Sequence, residues 1–366
     1  MKKELEFLNI DSFRELGVFS ADQNQKSSLI LPALRELTLH HYKNSDKYKK
    51  IIDLLNPNFI SLSKVRLDQI PFLPTRIFKS NDLQSTKDKS TFIIRSSGTT
   101  SLQQSRVAVD QETSHRQSIA LICILQDFIG KEKLPMLIFD SDPANLRNDH
   151  YTARSAGILG FAKISKSRKF ALNHNLDLNI DAVFEFIQKN IQDEFFCFGF
   201  TAIVWEKVIS VLEHKEIRLP ENKGILFHGG GWKRLEEKSG TNSDAFRKSI
   251  KSTLGISRIH DYYGMAEQAG SIFVQCNFGY FHTSVFSEVI IRDPFLFKPL
   301  GINQEGLIQV LSILPLSYPG HSLLTEDKGI LVGIDDCGCG RLGRYFTVIG
   351  RLAQSDIRGC SDAAFF

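Results

Sequence analysis

Apolar residues along this chain follow two rhythms. Short continuous runs occur at Thr91-Phe92-Ile93-Ile94, Met136-Leu137-Ile138-Phe139-Asp140, Phe195-Phe196-Cys197-Phe198 and Gly224-Ile225-Leu226-Phe227-His228. Their length and their aromatic and β-branched content predict buried strands. Between and after them lie longer stretches with helical spacing: Gln111 to Phe128 behind the N-cap Asp110, Asp181 to Ile191, Ala202 to Leu212, and Asp244 to Leu254. This βα-like alternation from about residue 91 predicts an α/β fold with mixed sheets flanked by helices. Upstream, Leu29 to Leu55 has a helical period that Pro32 is expected to break and Pro57 to close. Arg258 to Gly264 follows the last helix, and the final hundred residues are rich in strand patterns at Val285 to Ile291, Leu307 to Leu314 and Tyr345 to Ile349. No internal repeat or low-complexity linker divides the chain. The expected organisation is a helical N-terminal layer over 1–90, the α/β core over 91–350 and a short tail over 351–366.

Composition narrows the class. The chain has 366 residues, 42% of them hydrophobic, which is enough to bury a sizeable core. A formal net charge of +4 gives no global field that would draw nucleic acid, and Lys43, Lys47, Lys49 and Lys50 read as a solvated helix face. Met1-Lys2-Lys3-Glu4-Leu5-Glu6 is charged where a secretory signal would be apolar. No apolar segment reaches the roughly 18 residues needed to cross a bilayer. A cytoplasmic protein with no transmembrane segment is expected. Six cysteines are too few for a disulfide scaffold in a chain of this length.

The first candidate chemistry lies just after the strand at 91–94. Arg95-Ser96-Ser97-Gly98-Thr99-Thr100-Ser101 sets five hydroxyls around one glycine, and Arg106 follows shortly after. Gly98 lets backbone approach an anion, and hydroxyls and loop amides can donate to phosphate oxygens. On residues alone the segment reads equally as a plain polar surface loop. It lacks the second glycine and the lysine of the GxxxxGK[ST] nucleotide loop.

Taken in order, several segments resemble the motifs of the adenylate-forming enzymes, the superfamily of acyl-CoA synthetases. Ser96-Ser97-Gly98-Thr99-Thr100 is similar to their pyrophosphate-gripping loop, and Tyr263-Gly264-Met265-Ala266-Glu267 to their Tyr-Gly-x-Thr-Glu motif. Thr325-Glu326-Asp327 stands where they carry a ribose-binding Asp, and Gly350-Arg351 with Asp356 resembles their hinge. The resemblance covers about residues 90 to 360. Within the superfamily, Gly229-Gly230-Gly231-Trp232-Lys233, the Tyr263 to Gln268 segment and the ending soon after Asp356 resemble the acyl-protein synthetases of bacterial bioluminescence fatty-acid reductase complexes.

The resemblance implies an adenylate-forming core without a full mobile C-terminal domain, and an ATP-dependent, AMP-forming acid–thiol ligase. ATP and Mg²⁺ are the implied cofactors, a fatty acid the substrate, and an acyl-accepting reductase or carrier protein the partner. Ser96, Ser97, Gly98, Thr99 and Thr100 would grip the phosphates, with Gly230 and Gly231 lining the nucleotide site. Tyr263 beside Gly264 would stack on adenine, Asp327 would take the ribose hydroxyls, Glu267 would hold Mg²⁺ and Arg351 would reach phosphate or ribose. Ser101 and Gln103-Gln104 stand where many relatives have Gly and Lys, so Arg106 would replace a lysine contact. Phe195, Phe196, Phe198, Phe200, Ile203, Val204 and Trp205 stand where relatives line the acyl pocket; with 28 Phe in the chain, a Phe-rich core accounts for them equally well.

Two cysteine sets remain. Cys276-x5-His282 and Cys337-x-Cys339 together offer three thiolates and an imidazole, the donor set of a closed structural zinc site. Free core thiols are the other reading. Cys337-Gly338-Cys339-Gly340-Arg341 resembles a stretch in the phenylacetate-CoA ligase branch, where a similar set holds zinc. Cys360, between Gly359 and Ser361, is on its own an exposed thiol; the resemblance implies an acyl carrier, with Arg358 favouring the thiolate. Cys123 and Cys197 fall in a helix and a strand as packing residues. Two other functions stay open: an acyl-CoA or acyl-carrier-protein ligase of secondary metabolism or polysaccharide decoration, and a catalytically silent nucleotide-binding scaffold.

Overall fold

After a short helix, α1 (Ile10–Glu15), a capping box starts the long helix α2 (Gln23–Asn44). The Asp22 carboxylate accepts the Gln25 N–H at 2.8 Å, and the Gln25 side chain accepts the Asp22 N–H at 3.1 Å. The computed structural model describes residues 9–86, 91–96, 104–145, 152–230, 232, 235 and 239–352. Pro32 lies inside α2 and does not break it. Ile30, Ala33, Leu34 and Leu37 are buried on both sides of the proline, and packing of that face outweighs the one backbone hydrogen bond proline removes. Helix α3 (Asp46–Leu55) follows and stops before Pro57, as expected.

The chain continues through β1 (Leu73–Pro74), α4 (Ile77–Ser80), β2 (Phe92–Arg95), β3 (Arg106–Val109), α5 (Gln111–Ile129), β4 (Leu134–Ile138), α6 (Ala153–Ala162), β5 (Ser165–Phe170), α7 (Ile180–Lys189) and β6 (Phe195–Phe200). After α8 (Thr201–Ile203) a π-helical stretch spans Val204–Ile209, followed by α9 (Ser210–His214), β7 (Gly224–Gly229) and α10 (Ser243–Leu254). The remaining strands are β8 (Arg258–Tyr263), β9 (Phe273–Gln275), β10 (Phe281–His282), β11 (Ser287–Arg292), β12 (Glu305–Ser312), β13 (Ser322–Ile334) and β14 (Arg344–Arg351). The predicted α/β class with mixed sheets flanked by helices is therefore what the chain adopts.

Contacts sort the described residues into two units, one drawn from 1–94, 103–124 and 265–355 and the other from 95–102 and 125–264. In the second unit β5, β4, β6, β7 and β8 pair in that order, all parallel. The continuous apolar runs are explained by burial of both faces: Phe195, Phe196, Phe198 and Phe227 are fully buried, and the Phe161 and Phe198 rings stack at 4.2 Å. In the first unit β11, β12, β13, β14, β10 and β9 form an antiparallel succession, and β1 joins β13 in parallel. In this unit Lys26 of α2 and Glu288 of β11 form a buried pair, 2.7 Å apart, that ties the helix to the strand.

Candidate active site

In the first unit, Glu267 occupies a single tight turn, Ala266–Gln268, just after β8. It is buried, and burial pushes its carboxyl above the ordinary glutamate range; a hydrogen bond with Ser105 and the charges of Lys79 and Arg351 oppose that shift. Gln268 fixes the turn by donating to Gly320 O at 2.8 Å and Val310 O at 3.2 Å. Gly320 must be glycine for this approach: a Cβ there would meet Glu267 O at 2.7 Å and the Tyr318 ring at 2.3 Å. Tyr318, buried under Glu267, accepts from Gln117 Nε2 at 3.4 Å, and burial together with the Glu267 charge raises its phenol. Further along the chain, Asp327 and Arg351 face each other across β13 and β14, with Arg351 Nε donating to Asp327 Oδ1 at 3.0 Å. The neighbouring Glu326 accepts from Arg76 Nε at 2.5 Å. This assembly combines one buried carboxylate that feels the charges of Lys79 and Arg351 with a partly exposed carboxylate–guanidinium pair.

In the second unit, β7 delivers His228 and then Gly229 and Gly230 at its C-terminal end. Gly230 adopts φ +74°, and a Cβ at Gly229 would meet Tyr262 O at 2.5 Å, so this turn needs glycine at both positions. Trp232 Nε1 donates to Asp261 Oδ2 at 2.6 Å, tying the turn back to β8 two residues before Tyr263. Burial raises the Asp261 carboxyl to about 7 against the Trp232 bond and the Arg247 charge. His228 Nδ1 pairs with Thr201 Oγ1 at 3.0 Å, and burial, with Arg247 and His260 nearby, keeps its ring neutral. Arg95 and Ser96 also belong to this unit, and Arg95 bridges to Thr152, the N-cap of α6.

Cys276, His282, Cys337 and Cys339 converge in the first unit, their ligand atoms all within 4.8 Å of one another. Cys276 Sγ lies 3.9 Å from Cys337 Sγ, and Cys339 Sγ 3.4 Å from His282 Nε2. Two tight turns shape the cluster: Gly279 N donates to Cys276 O, and Gly340 N to Cys337 O, both at 3.0 Å. Three soft sulfurs and one imidazole at such separations fit tetrahedral zinc.

Of the residues singled out by sequence, Ser96, Gly230, Tyr263, Gly264, Glu267, Asp327, Arg351, Cys276, His282, Cys337 and Cys339 are described. Ser97, Gly98, Thr99, Thr100, Gly231, Asp356 and Cys360 lie outside the described residues. The sequence assigned no role to Tyr318, Gln117, Gln268, Asp261 or His228, although Gln268, Asp261, His228 and Gln117 fall in segments it singled out. The only signal for Tyr318 was the following Pro319-Gly320 turn pair; Asp261 was visible only as a carboxylate two places before Tyr263.

Comparison with known proteins agrees with the motif reading. Residues 10–364 match the family described as acyl-protein synthetase, LuxE. A long-chain-fatty-acid–luciferin-component ligase of Aliivibrio fischeri is 21% identical over 307 residues, 81% of this chain and 78% of that protein. The protein of the same name from Vibrio harveyi is 22% identical over 335 residues, 88% of this chain and 83% of that protein. Among solved structures, an open conformation of 2-hydroxyisobutyryl-CoA ligase in complex with 2-HIB-AMP and CoA superposes with a TM-score of 0.69 at 14% identity, covering 90% of this chain and 76% of that one. At that identity the likeness establishes a shared fold, that of an adenylate-forming ligase. The family match spans nearly the whole chain, so this protein belongs to the LuxE family of acyl-protein synthetases and is an ATP-dependent acid ligase.

Proposed function

We propose that the chain activates a long-chain carboxylic acid as its acyl-adenylate and passes the acyl group, through Cys360, to a partner protein. The observation that carries the activation step is Glu267, a buried carboxylate flanked by Ser105, Lys79 and Arg351 within the Tyr263-Gly264-Met265-Ala266-Glu267 motif. Acid activation brings a carboxylate in line with the α-phosphate of ATP, so two anions must be oriented and their charge neutralised. Mg²⁺ held by Glu267 would neutralise the phosphates. Thr99, Thr100, Ser96 and Ser97 donate to phosphate oxygens, Tyr263 stacks on adenine, and Asp327 takes the ribose hydroxyls while Arg351, already paired with it, reaches phosphate or ribose. The relatives named for long-chain fatty acids support an apolar substrate.

In the second step the Cys360 thiolate attacks the acyl carbonyl carbon, forming a thioester and releasing AMP; the thioester then transfers to a thiol of the partner. The test is incubation with labelled myristic acid, ATP and Mg²⁺. Wild-type protein should exchange pyrophosphate in a fatty-acid-dependent manner and acquire hydroxylamine-sensitive label. Cys360→Ser should keep exchange and lose the label. Exchange without fatty-acid dependence would defeat the activation step, and undiminished label in Cys360→Ser would move the acceptor elsewhere. The Cys276, His282, Cys337 and Cys339 cluster is proposed to hold one structural Zn²⁺, supported by its donor set and separations.

A further inference from the structure

The turn between β11 and β12 gathers more large exposed apolar side chains than any other stretch of the described chain. Phe295 is 86% exposed, Leu296 68%, Ile302 47% and Phe297 44%. Clusters of this kind mark surfaces that something covers. The turn is stiff. Asp293 Oδ1 accepts the N–H groups of Phe295 at 2.9 Å and Leu296 at 2.7 Å, and its backbone carbonyl accepts that of Phe297 at 3.0 Å. Its own N–H donates to Lys298 O at 2.9 Å. Arg292 Nη1 donates to Phe297 O at 2.7 Å while its guanidinium lies over the Phe72 ring at 4.8 Å. Phe297 is held at φ +55°, where a bulky residue goes only under constraint.

Two features say what kind of surface the tip suits. The N–H groups of Phe295, Leu296 and Phe297 are all accepted inside the turn, and Pro294 and Pro299 carry none, so these amides can leave water without losing a partner. From Pro294 to Gln304 the only charged side chain is Lys298, which is exposed. A protein interface surrounds its apolar centre with a polar rim making about ten hydrogen bonds. With Arg292 at its base, the turn carries two cations, Arg292 and Lys298, against one carboxylate, Asp293, whose Oδ1 is taken up by the Phe295 and Leu296 N–H groups; the charge exposed beside the apolar tip is Lys298, which complements an anionic headgroup layer above hydrocarbon.

We propose that the turn is a membrane-interface anchor that seats Phe295 and Leu296 among the acyl chains of an anionic phospholipid surface, with Lys298 at headgroup level. The inference stands independently of the acid-ligase chemistry and of the described sites.

Flotation of the full-length protein with vesicles of phosphatidylcholine and phosphatidylglycerol tests it. Wild type should float with the vesicles. The double variant Phe295→Ser, Leu296→Ser should lower the partition coefficient on the order of tenfold or more while keeping its melting temperature. Lys298→Glu should weaken binding roughly fivefold on anionic vesicles and leave pure phosphatidylcholine binding nearly unchanged. Wild type that stays in solution with both vesicle types, or a double variant that floats equally well, overturns the proposal. So does a concentration-dependent dimer in gel filtration that the double variant abolishes while neither protein floats, since a second copy then covers the tip.

Discussion

Arg351 Nε donates to Asp327 Oδ1 at 3.0 Å, and the two residues are register partners on adjacent antiparallel strands. Asp327 is held in turn by its own N–H to Thr325 Oγ1 at 3.2 Å, and Thr325 Oγ1 donates to Ile308 O at 2.8 Å. The pair is therefore a fixed acceptor–donor edge on β13 and β14. Arg351 is 35% exposed, so the ion pair itself stabilises the fold by little, about 0.2–1 kcal/mol. Asp327→Asn should accordingly leave the urea midpoint close to wild type while raising the KM for ATP in pyrophosphate exchange roughly tenfold or more, by the loss of a charged acceptor. An unchanged KM would remove Asp327 from the nucleotide site.

Glu267 predicts a pH signature. Burial raises its carboxyl, only partly countered by Ser105, Lys79 and Arg351. The anion is the form that would hold Mg²⁺, so the exchange rate should decline on the acid side at a higher pH than an exposed glutamate would dictate. Glu267→Gln should abolish that limb and lower the rate roughly 10²- to 10³-fold. The stability effect has the opposite sense. With a folded pKa above the unfolded one, the contribution of Glu267 is fully present below the unfolded pKa and is lost as pH rises through the folded value. Glu267→Gln should therefore unfold at higher urea than wild type at neutral pH, and the gap should close in acid. A variant less stable than wild type at neutral pH would show that the carboxylate has found stronger partners than burial costs it.

Three parallel strands were legible because their faces are buried: β4, β6 and β7 each read as one continuous apolar run, whereas β5, Ser165–Phe170, is polar and largely exposed and carried no such signal. Strand β13 escaped because Thr325-Glu326-Asp327-Lys328-Gly329 interrupts its apolar ends, and those polar residues serve the Arg76, Arg351 and Glu305 ion pairs instead of the core. Pro32 misled for a related reason, since a local rule about proline yields to tertiary burial of α2. The residue types of the Cys/His set could be read, but their convergence could not. It depends on β10 pairing with β14 in a register that puts His282 opposite Tyr345, some sixty positions away. The Trp232–Asp261 bond is likewise a product of β7 and β8 lying side by side.

Lys26 and Glu288 are 2% and 0% exposed and 2.7 Å apart, with Gln23 Nε2 donating to Glu288 at 3.0 Å and Arg344 Nε 3.6 Å from it. Burial lowers the Lys26 ammonium, and Glu288 is held below its ordinary value by Lys26 and Arg344 despite burial. Removing one partner leaves a charge buried. Lys26→Met should cost about 3–5 kcal/mol, whereas Lys26→Met with Glu288→Gln should recover a large part of it. Urea unfolding of the four proteins in a double-mutant cycle measures this; additive losses would mean that the two groups do not depend on each other.

His41 and His321 stack at 4.9 Å in the core of the first unit. Ser85 Oγ meets His41 Nδ1 at 2.8 Å and Thr38 Oγ1 meets His321 Nε2 at 2.9 Å. Burial, reinforced by the neighbouring histidines, lowers both, His321 to about 3. A histidine depressed on folding contributes stability that is complete above its unfolded pKa near 6.5 and is lost as pH falls toward the folded value. The melting temperature should therefore drop between about pH 6.5 and 3, by an amount corresponding to a few kcal/mol. His321→Gln, which keeps a polar group facing Thr38, should flatten that decline. A variant with the wild-type pH slope would assign acid sensitivity to other groups.

The Cys276, His282, Cys337 and Cys339 cluster joins the turn after β9 to the hairpin between β13 and β14, and it also touches the N-terminal segment. The Phe19 ring meets His282 edge-on at 6.3 Å, Arg341 lies over Phe19 at 5.5 Å, and Leu342 N donates to Phe19 O at 2.9 Å. A metal closing the four ligands would thus stabilise three segments that are far apart in sequence, and its binding energy adds to folding energy. Purified protein should contain about one equivalent of zinc. Treatment with a strong chelator should lower the melting temperature, and added Zn²⁺ should restore it. Cys337→Ser should lose the metal and melt at the temperature of the chelated wild type, while Cys123→Ser, outside the cluster, should keep both. Metal-free protein whose melting temperature does not respond to zinc would leave these side chains as core thiols packed around a histidine.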